Sequence, residues 1–572
     1  MPSIHAISTH AVSSIDDIPV NQALLELISQ ARISNITVFL EVEAREQTTT
    51  QQKEVIPSKP GSGLRPVSAM PVSSLNFARS TRQSKTFLFS TRPWRGRPTD
   101  AFRPNVHAHP RLISGGRISR SIPVDIDDLR RGQRTIGDAQ IANPDREFDK
   151  LFKVFSVQQQ SVRCYVGLPE SNSQDWVLLY EARIESIEST RQIIRFNITN
   201  VSNELKRPLQ LRRFTGKGGR DGDSFVAGTK KPICYGDAYC IEPRLINRAK
   251  GTYCVNDDRI ANVDWVREGA LDYTYTTNYA TTELLELATI QPGEYAQCRE
   301  EGTFRIGTNL EGLVYPIRCA VKGDASATGY TSQTGHILHR VARNRAFLGA
   351  SQVNLSSFLA LPSGAVSYWY DGTNEELSCE DIFNTMLVGV YGFFGAGRGE
   401  VLSVGRIVAP GSINPDLNAT EDQALDYGIE LRPDLPRLVQ NFTYAPTWNP
   451  LTEDQVSPAA NPTDSERMTQ NNILDSEQVS SDLAATATDL PTLPTLFSNR
   501  DPALNIARNV LAIVSENRLP ARIDLGRIGL IADLAKHIGY DSDRVTEDFV
   551  GVVYEQDDDI GPTIRSTVLA LG

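Results

Sequence analysis

Five of the seven cysteines, Cys234, Cys240, Cys254, Cys298 and Cys319, fall in one stretch of the chain, and thiols in that number could hold zinc or an iron–sulfur cluster. The first four are spaced C-x5-C-x13-C-x43-C, with no CxxC pair. Structural zinc sites are usually built on close pairs, so buried thiols in strands are the expected reading. His107 and His109 would share one face of a strand, and His336 and His339 one face of a helix. Neither pair has a carboxylate or cysteine at ligand spacing. The glycine-rich loops at 215–223 (TGKGGRDGD) and 392–400 (GFFGAGRGE) lack the spacing and placement of a phosphate loop and read as turns needing positive φ. Asp221 and Asp223 lack the EF-hand pattern. Glu300 with Glu301, and Asp557 to Asp559, could imitate a pair of catalytic carboxylates, but adjacent like charges usually occupy solvated turns. No HExxH or GxSxG occurs. The sequence nominates no catalytic, cofactor or metal residue.

The charge pattern says more. Residues 65–120 hold eleven Lys and Arg against Asp100 alone, whereas residues 411–572 hold 26 acidic residues against 11 basic ones, within a net charge of -11. A chain polarised in this way could stack head-to-tail on a neighbour. Phe87, Phe89, Trp94 and Phe102 are interleaved with the basic residues, as nucleic-acid binding would require. The many prolines of RPWRGRPTDAFRPNVHAHPRL favour an extended basic arm lying on an acidic protein surface. Arg92, Arg95, Arg97 and Arg103 are the candidate interface residues.

These residues must be positioned by several cores, since 572 residues suggest three to five domains. No apolar run is long enough to span a bilayer, and the N-terminus lacks the pattern of a signal peptide, so synthesis and folding in a reducing cytoplasm are expected. Residues 21–33 have helical spacing, 36–44 alternate like a strand, and 48–63 read as a linker. Candidate strands at 85–91, 161–168, 175–190 and 191–200 make the next part all-β, a small barrel or sandwich. Residues 231–324 are short β-rich pieces punctuated by Gly, Pro and Asp. A helix at 335–349, a strand at 365–372, a helix capped by Ser378 and a strand at 399–410 form a compact α/β unit. Residues 446–500, rich in Pro, Ser, Thr and Asp, read as an extended arm or a loop draped over a neighbour. An amphipathic segment at 503–517 and a strand pair with an acidic turn at 557–561 close the chain.

The order of these pieces resembles the tail-tip or baseplate hub proteins of long-tailed, siphovirus-like bacteriophages. TFLFST with HPRLISGGRISRSI resembles the family's opening, NPDREFDKL its Asn-x-Asp turn, and RPLQLRRFTG the exit from its first barrel. KPICYGDAYCIEPRLIN matches at Lys231, Pro232, Ile233, Tyr235 and Gly236. GEYAQCREEGTFRIG matches at Gly293, Tyr295, Gly302, Phe304, Arg305 and Gly307. SYWYDG, DIFNTMLVGVYGFFG and GEVLSVGRI follow in the family's order. Residues 1–65 have no recognised counterpart, and 446–500 match poorly.

The resemblance implies a mainly β chain with α+β parts: two barrel-like hub domains, a central β-rich domain and a small α/β domain. The implied boundaries are an N-terminal extension and linker at 1–65, a first barrel with the basic arm at 66–215, the central domain at 216–330, the α/β domain at 331–411 and a second barrel at 412–572 carrying the arm at 446–500. The second barrel would be built from 412–445 and 503–572. It implies a virion structural protein of the tail tip, not an enzyme and without a cofactor. A homotrimer would form a pseudo-sixfold ring joining the hexameric tail tube or distal tail protein to a trimeric central fibre or spike. The tape measure protein and other baseplate proteins would be neighbours, and genomic DNA would pass through the channel without specific binding. The alternatives are a hexameric distal tail ring, an iron–sulfur tip protein and a cell-wall-degrading enzyme.

Overall fold

The computed structural model describes residue 27, residues 36–46 and 84–122, and residues 133–571 with breaks at 309, 327–328, 374–375, 397–400, 409–414, 422, 430–436, 480–490, 516–519, 533, 535, 542–548 and 563. The expected helix at 21–33 (apart from Leu27, which is helical) and the linker at 48–63 lie outside these residues. Among the described residues strand outweighs helix, 42% to 22%, so the fold is mainly β. It divides into two units: residues 33–116 with 137–199, and residues 117–136 with 200–572.

The first unit is an eight-stranded antiparallel sheet. Its order is Ser84–Ser90, Thr37–Glu46, Ser161–Gly167, Val177–Ser189, Ile193–Thr199, Ala139–Ala142 and Leu112–Ser114, with Phe155–Ser156 beside Thr37–Glu46. IIRFNIT alternates as a half-buried strand should, with Ile194, Phe196 and Ile198 inward. Bulges after Cys164 and Ile184 bend the long strands. The sheet curls back on itself through the segment at 109–114. Ser90 N–H donates to the His109 carbonyl and His109 N–H to that of Leu88, both at 2.8 Å, while Ala142 N–H reaches Arg111 at 2.7 Å. Phe89, Phe148 and Phe196 fill the interior, each fully buried and each contributing about 2–3 kcal/mol. Helix Glu147–Val154 follows, and its Phe148 N–H donates to Asn143 Oδ1 at 3.2 Å.

Two differences from the sequence reading stand out here. Thr37–Glu46 is no part of an extension: it pairs with Ser84–Ser90 on one side and Ser161–Gly167 on the other, with Val38, Phe39, Leu40 and Val42 at 0–1% exposure. The expected continuous barrel at 66–215 is also interrupted, because residues 117–136 belong to the second unit.

In the second unit, residues 233–324 build one five-stranded sheet and four strands of another, whose fifth and edge strand is Ser367–Tyr370. Between them lie Ile241, Val263, Val266, Tyr295, Phe304 and Val321. Gly236 lets that edge strand approach, since a Cβ there would stand 1.8 Å from the Val366 carbonyl oxygen at φ +65°. Helices Thr334–Asn344, Leu355–Leu359 and Cys379–Val388 pack into a large shared core. Ser378 caps the third reciprocally: Asp381 N–H donates to its Oγ, and Ser378 N–H to Asp381 Oδ2 at 2.8 Å.

Helix Arg500–Val514 joins that same core through Ala503, Ala507, Val510 and Leu511, and Val439–Tyr444 forms a separate three-stranded sheet with Ile473–Gln478 and Leu493–Pro494. Neither belongs to a second barrel, contrary to expectation: their apolar faces are buried elsewhere. The arm at 446–500 is draped over its own chain, burying Leu451 and Met468 against Cys240 and Ala270. The C-terminal sheet also has eight strands: Leu417–Thr420, His537–Asp541, Phe549–Ile560, Arg565–Leu571, Pro520–Asp524 and Asp426–Ile429, with Gly116–Ser121 and Gln133–Ile136 supplied from far upstream. The three aspartates do not form a turn. They lie within Phe549–Ile560, and the hairpin turns only after Ile560.

Candidate assembly interface

Residues 91–109 of the first unit carry the four candidate arginines. They form a compact loop around a two-residue ladder, Trp94–Arg95 with His107–Ala108, and not an extended arm. Its anchor is aromatic. Phe39 stacks on Trp176 with centroids 3.7 Å apart, and Trp94 meets both edge-on, at 5.7 and 4.7 Å. Asp100 ties down the far turn. Its carboxylate accepts N–H bonds from Phe102 at 3.0 Å, Arg103 at 2.8 Å and Ser173 at 2.6 Å, and a bond from the Ser173 hydroxyl. Burial alone would raise the Asp100 pKa, but these bonds outweigh it and bring the value down to about 2. At Gly96 the two strands of the loop touch: a Cβ would stand 1.9 Å from the Arg103 carbonyl oxygen.

The four arginines do not act alike. Arg103 points inward, donating to Glu41 and lying over the Trp176 ring at 4.9 Å and the Tyr165 ring at 5.3 Å. It holds the loop to the sheet and cannot serve as a surface contact. Arg92, Arg95 and Arg97 are exposed and make no ion pair among the described residues, although Arg97 donates to the Glu170 carbonyl at 3.0 Å. Between them the loop presents Phe102, 72% exposed, and Val106, 38% exposed. The pinned loop therefore presents an exposed phenyl group and three guanidiniums that make no ion pair among the described residues. Phe102 was visible in the sequence only as one aromatic among basic residues; Asp100, Glu41 and Trp176, which set the geometry, carried no local signal.

Three further arginines of the basic stretch, Arg111, Arg117 and Arg120, are spent inside the chain. Arg65, Arg79 and Arg82 lie outside the described residues. Arg111 pairs with Asp145 and Glu147. In the second unit Arg117 grips Asp557 with two bonds from Nε at 2.7 and 2.9 Å, and the buried Arg120 donates to Gln556 and lies 3.8 Å from Asp558. The acidic surface that part of the basic arm was expected to clamp is therefore on its own C-terminal strand.

The other candidate clusters resolve as structure. All seven cysteines are buried free thiols; burial pushes Cys240, Cys254 and Cys379 up to about 12 and the rest upward as well. No metal-binding group of His, Cys, Asp and Glu occurs among the described residues. His109 packs on Phe148 and His339 on Phe358, and burial lowers the pKa of both. Asp221 pairs with Lys231 at 2.7 Å within a loop whose Gly216, Gly218, Gly219 and Gly222 all have positive φ. Glu300 pairs with Arg259, and Glu301 accepts the Thr282 N–H in a short turn.

No family model and no curated protein matches the chain. Among solved structures, the tail protein of Neisseria meningitidis MC58 aligns over 81% of this chain and 95% of its own, at 8% identity and a TM-score of 0.36. The virion of a native gene transfer agent particle aligns over 60% and 85%, at 11% identity and a TM-score of 0.36. The 43 kDa tail protein of prophage MuSo2 from Shewanella oneidensis aligns over 80% and 92%, at 6% identity and a TM-score of 0.32. These neighbours are tail proteins and a virion. Scores of this size transfer no residue-level geometry.

Proposed function

We propose that this chain is a structural protein of a phage tail tip, a hub whose copies close into a ring. The observation that carries the reading is that one chain holds two curled sheets of eight strands each, one in each unit. Three copies would then supply six such sheets, as a protein adapting a sixfold tube to a threefold spike must. The colinear motifs at Lys231–Gly236 and Gly293–Gly307 support the same reading. The ring would join the tail tube or distal tail protein to the central fibre or spike and stay closed until DNA ejection. Closed cyclic symmetry separates such a ring from an open filament. A predominance of carboxylates in residues 411–572 suits a channel wall that must not retain DNA.

The test is the mass of the assembled protein by native mass spectrometry or light scattering. A species at three times 63.1 kDa is expected; a hexamer would move the chain to the adjoining distal ring. A monomer would send the measurement to copy number in whole particles, where any count but three refutes the hub. Arg92, Arg95 and Arg97 changed together to Glu should prevent tip assembly while leaving the monomer folded. Normal particles from that variant would exclude the loop as an assembly contact.

A further inference from the structure

A second site lies on the outer face of the central sheet in the second unit, where a cavity of 310 Å³ opens between that sheet and the arm draped over it. Its floor is set by three neighbouring strands. Tyr239 comes from Ile233–Ile241 and Trp265 from Ile260–Glu268. Between them, on Ile317–Asp324, is Ala320, paired in register with Trp265. The small side chain at 320 leaves the hollow. The two rings stand 5.3 Å apart at 75°, forming a corner, not a parallel slot. Asp237 and Asp264 line the sheet side, and Arg467 lines the arm side.

Arg467 is held only by neutral acceptors. It donates to the Thr447 hydroxyl and the Ala445 carbonyl and lies over the Tyr239 ring at 4.7 Å, with no carboxylate partner among the described residues. Ala445, at the lip, is held at φ +49°, a conformation that costs a non-glycine residue about 1 kcal/mol or more and tends to mark functional sites. The indole N–H of Trp265 makes no hydrogen bond among the described residues.

The lining selects by elimination. Arg467 in the lining, with Lys322 outside it 3.9 Å from Asp264, balances Asp237 and Asp264, so neither an anion nor a cation is favoured. A cationic ligand would also be repelled by the guanidinium that lies on one face of each ring, Arg467 on Tyr239 and Arg267 on Trp265 at 4.5 Å. A flat heterocycle needs a slot, and the 75° corner offers none. What remains is a neutral, puckered ligand with apolar C–H patches for the rings and a rim of hydroxyls for two carboxylates, a guanidinium and an indole N–H. We propose that this cavity is a saccharide-binding site taking one sugar ring of an oligosaccharide. The volume stands at the lower end of the range for small-ligand pockets. The site goes beyond the ring-forming role and does not depend on it.

The experiment is a glycan microarray probed with the full-length protein, followed by calorimetry with the strongest oligosaccharide. The array also carries a nucleoside and choline as controls. Asp264 is exposed, so Asp264→Ala should leave the fold intact and weaken binding by about 10-fold, the loss of a hydrogen bond to a charged group. Ala320→Leu should abolish it by filling the floor, with circular dichroism checking the fold. Binding of no glycan by the wild-type protein, preference for the nucleoside or choline, or unchanged affinity in Asp264→Ala would each overturn the proposal. Because the readout is affinity and not mass, failure here leaves the trimer test untouched.

Discussion

Asp257→Ala should be among the most damaging single substitutions in the second unit. The Asp257 side chain is fully buried and accepts from Arg345 Nη1 and Nη2, both at 2.7 Å, and from Gln210 Nε2 at 3.0 Å. Gln210 is itself buried and also donates to the Lys231 carbonyl at 3.0 Å, and Arg345 Nε reaches the buried Tyr235 hydroxyl at 3.3 Å. One carboxylate thus ties together three segments far apart in sequence. Burial alone would raise its pKa, but the bonds and charge of Arg345, with help from Gln210 and Arg212, hold it below the ordinary carboxylate range. Removing it strands a guanidinium away from water, a change that costs about 3–5 kcal/mol. The chain has two units, so one global unfolding free energy is not defined. The assay is hydrogen exchange of the helix Thr334–Asn344, combined with the urea midpoint of the second unit's transition. Asp257→Leu with Arg345→Met should recover most of the loss, since an apolar pair of similar volume is often neutral. A single-variant loss below about 1 kcal/mol, or a double variant worse than either single, would refute the account.

Three further outcomes follow from the geometry. Gly96→Ala should push the loop at 91–109 open, because its Cβ meets backbone and not a movable side chain; the cost is about 1–3 kcal/mol, read as faster tryptic cleavage after Arg95, the Arg97–Pro98 bond being resistant to trypsin. The folded pKa of Asp100 is depressed, so its stabilising contribution is complete above its unfolded value of 3.8 and is lost as pH falls toward about 2. The protection factors of the same loop, exchange rates divided by the intrinsic rate at each pH, should therefore fall over that window and be flat from pH 5 to 7. Finally, all seven thiols should resist an aromatic disulfide reagent at pH 8 in the native protein and react completely in guanidinium; a fast-reacting thiol in the folded chain would contradict their burial.

Much of the local structure was legible in the residues. IIRFNIT shows its two faces through its alternation, Ser378 and Asp381 announce a helix start through side chains able to bond back to free N–H groups, and the cysteines betray burial by lacking close pairs. Each of these is settled by neighbours within a few positions. Pairing partners far along the chain are not. Nothing within GRISRS says that it leaves the first unit to lie beside Phe549–Ile560, and three successive aspartates read locally as a turn. They form a strand because Arg117 and Arg120 arrive from more than 400 positions away to offset like charges that would otherwise repel. The four candidate arginines are alike in type and setting, yet only tertiary structure turns Arg103 inward onto Glu41 and Trp176 and leaves Arg92, Arg95 and Arg97 outside. Sequence thus determined periodicity, capping and the overall polarity of charge, all short-range or summed properties. Which charges were neutralised within the chain and which remained for a partner was decided by strand pairing across long separations, because a Coulomb or hydrogen-bond partner is defined by distance in space.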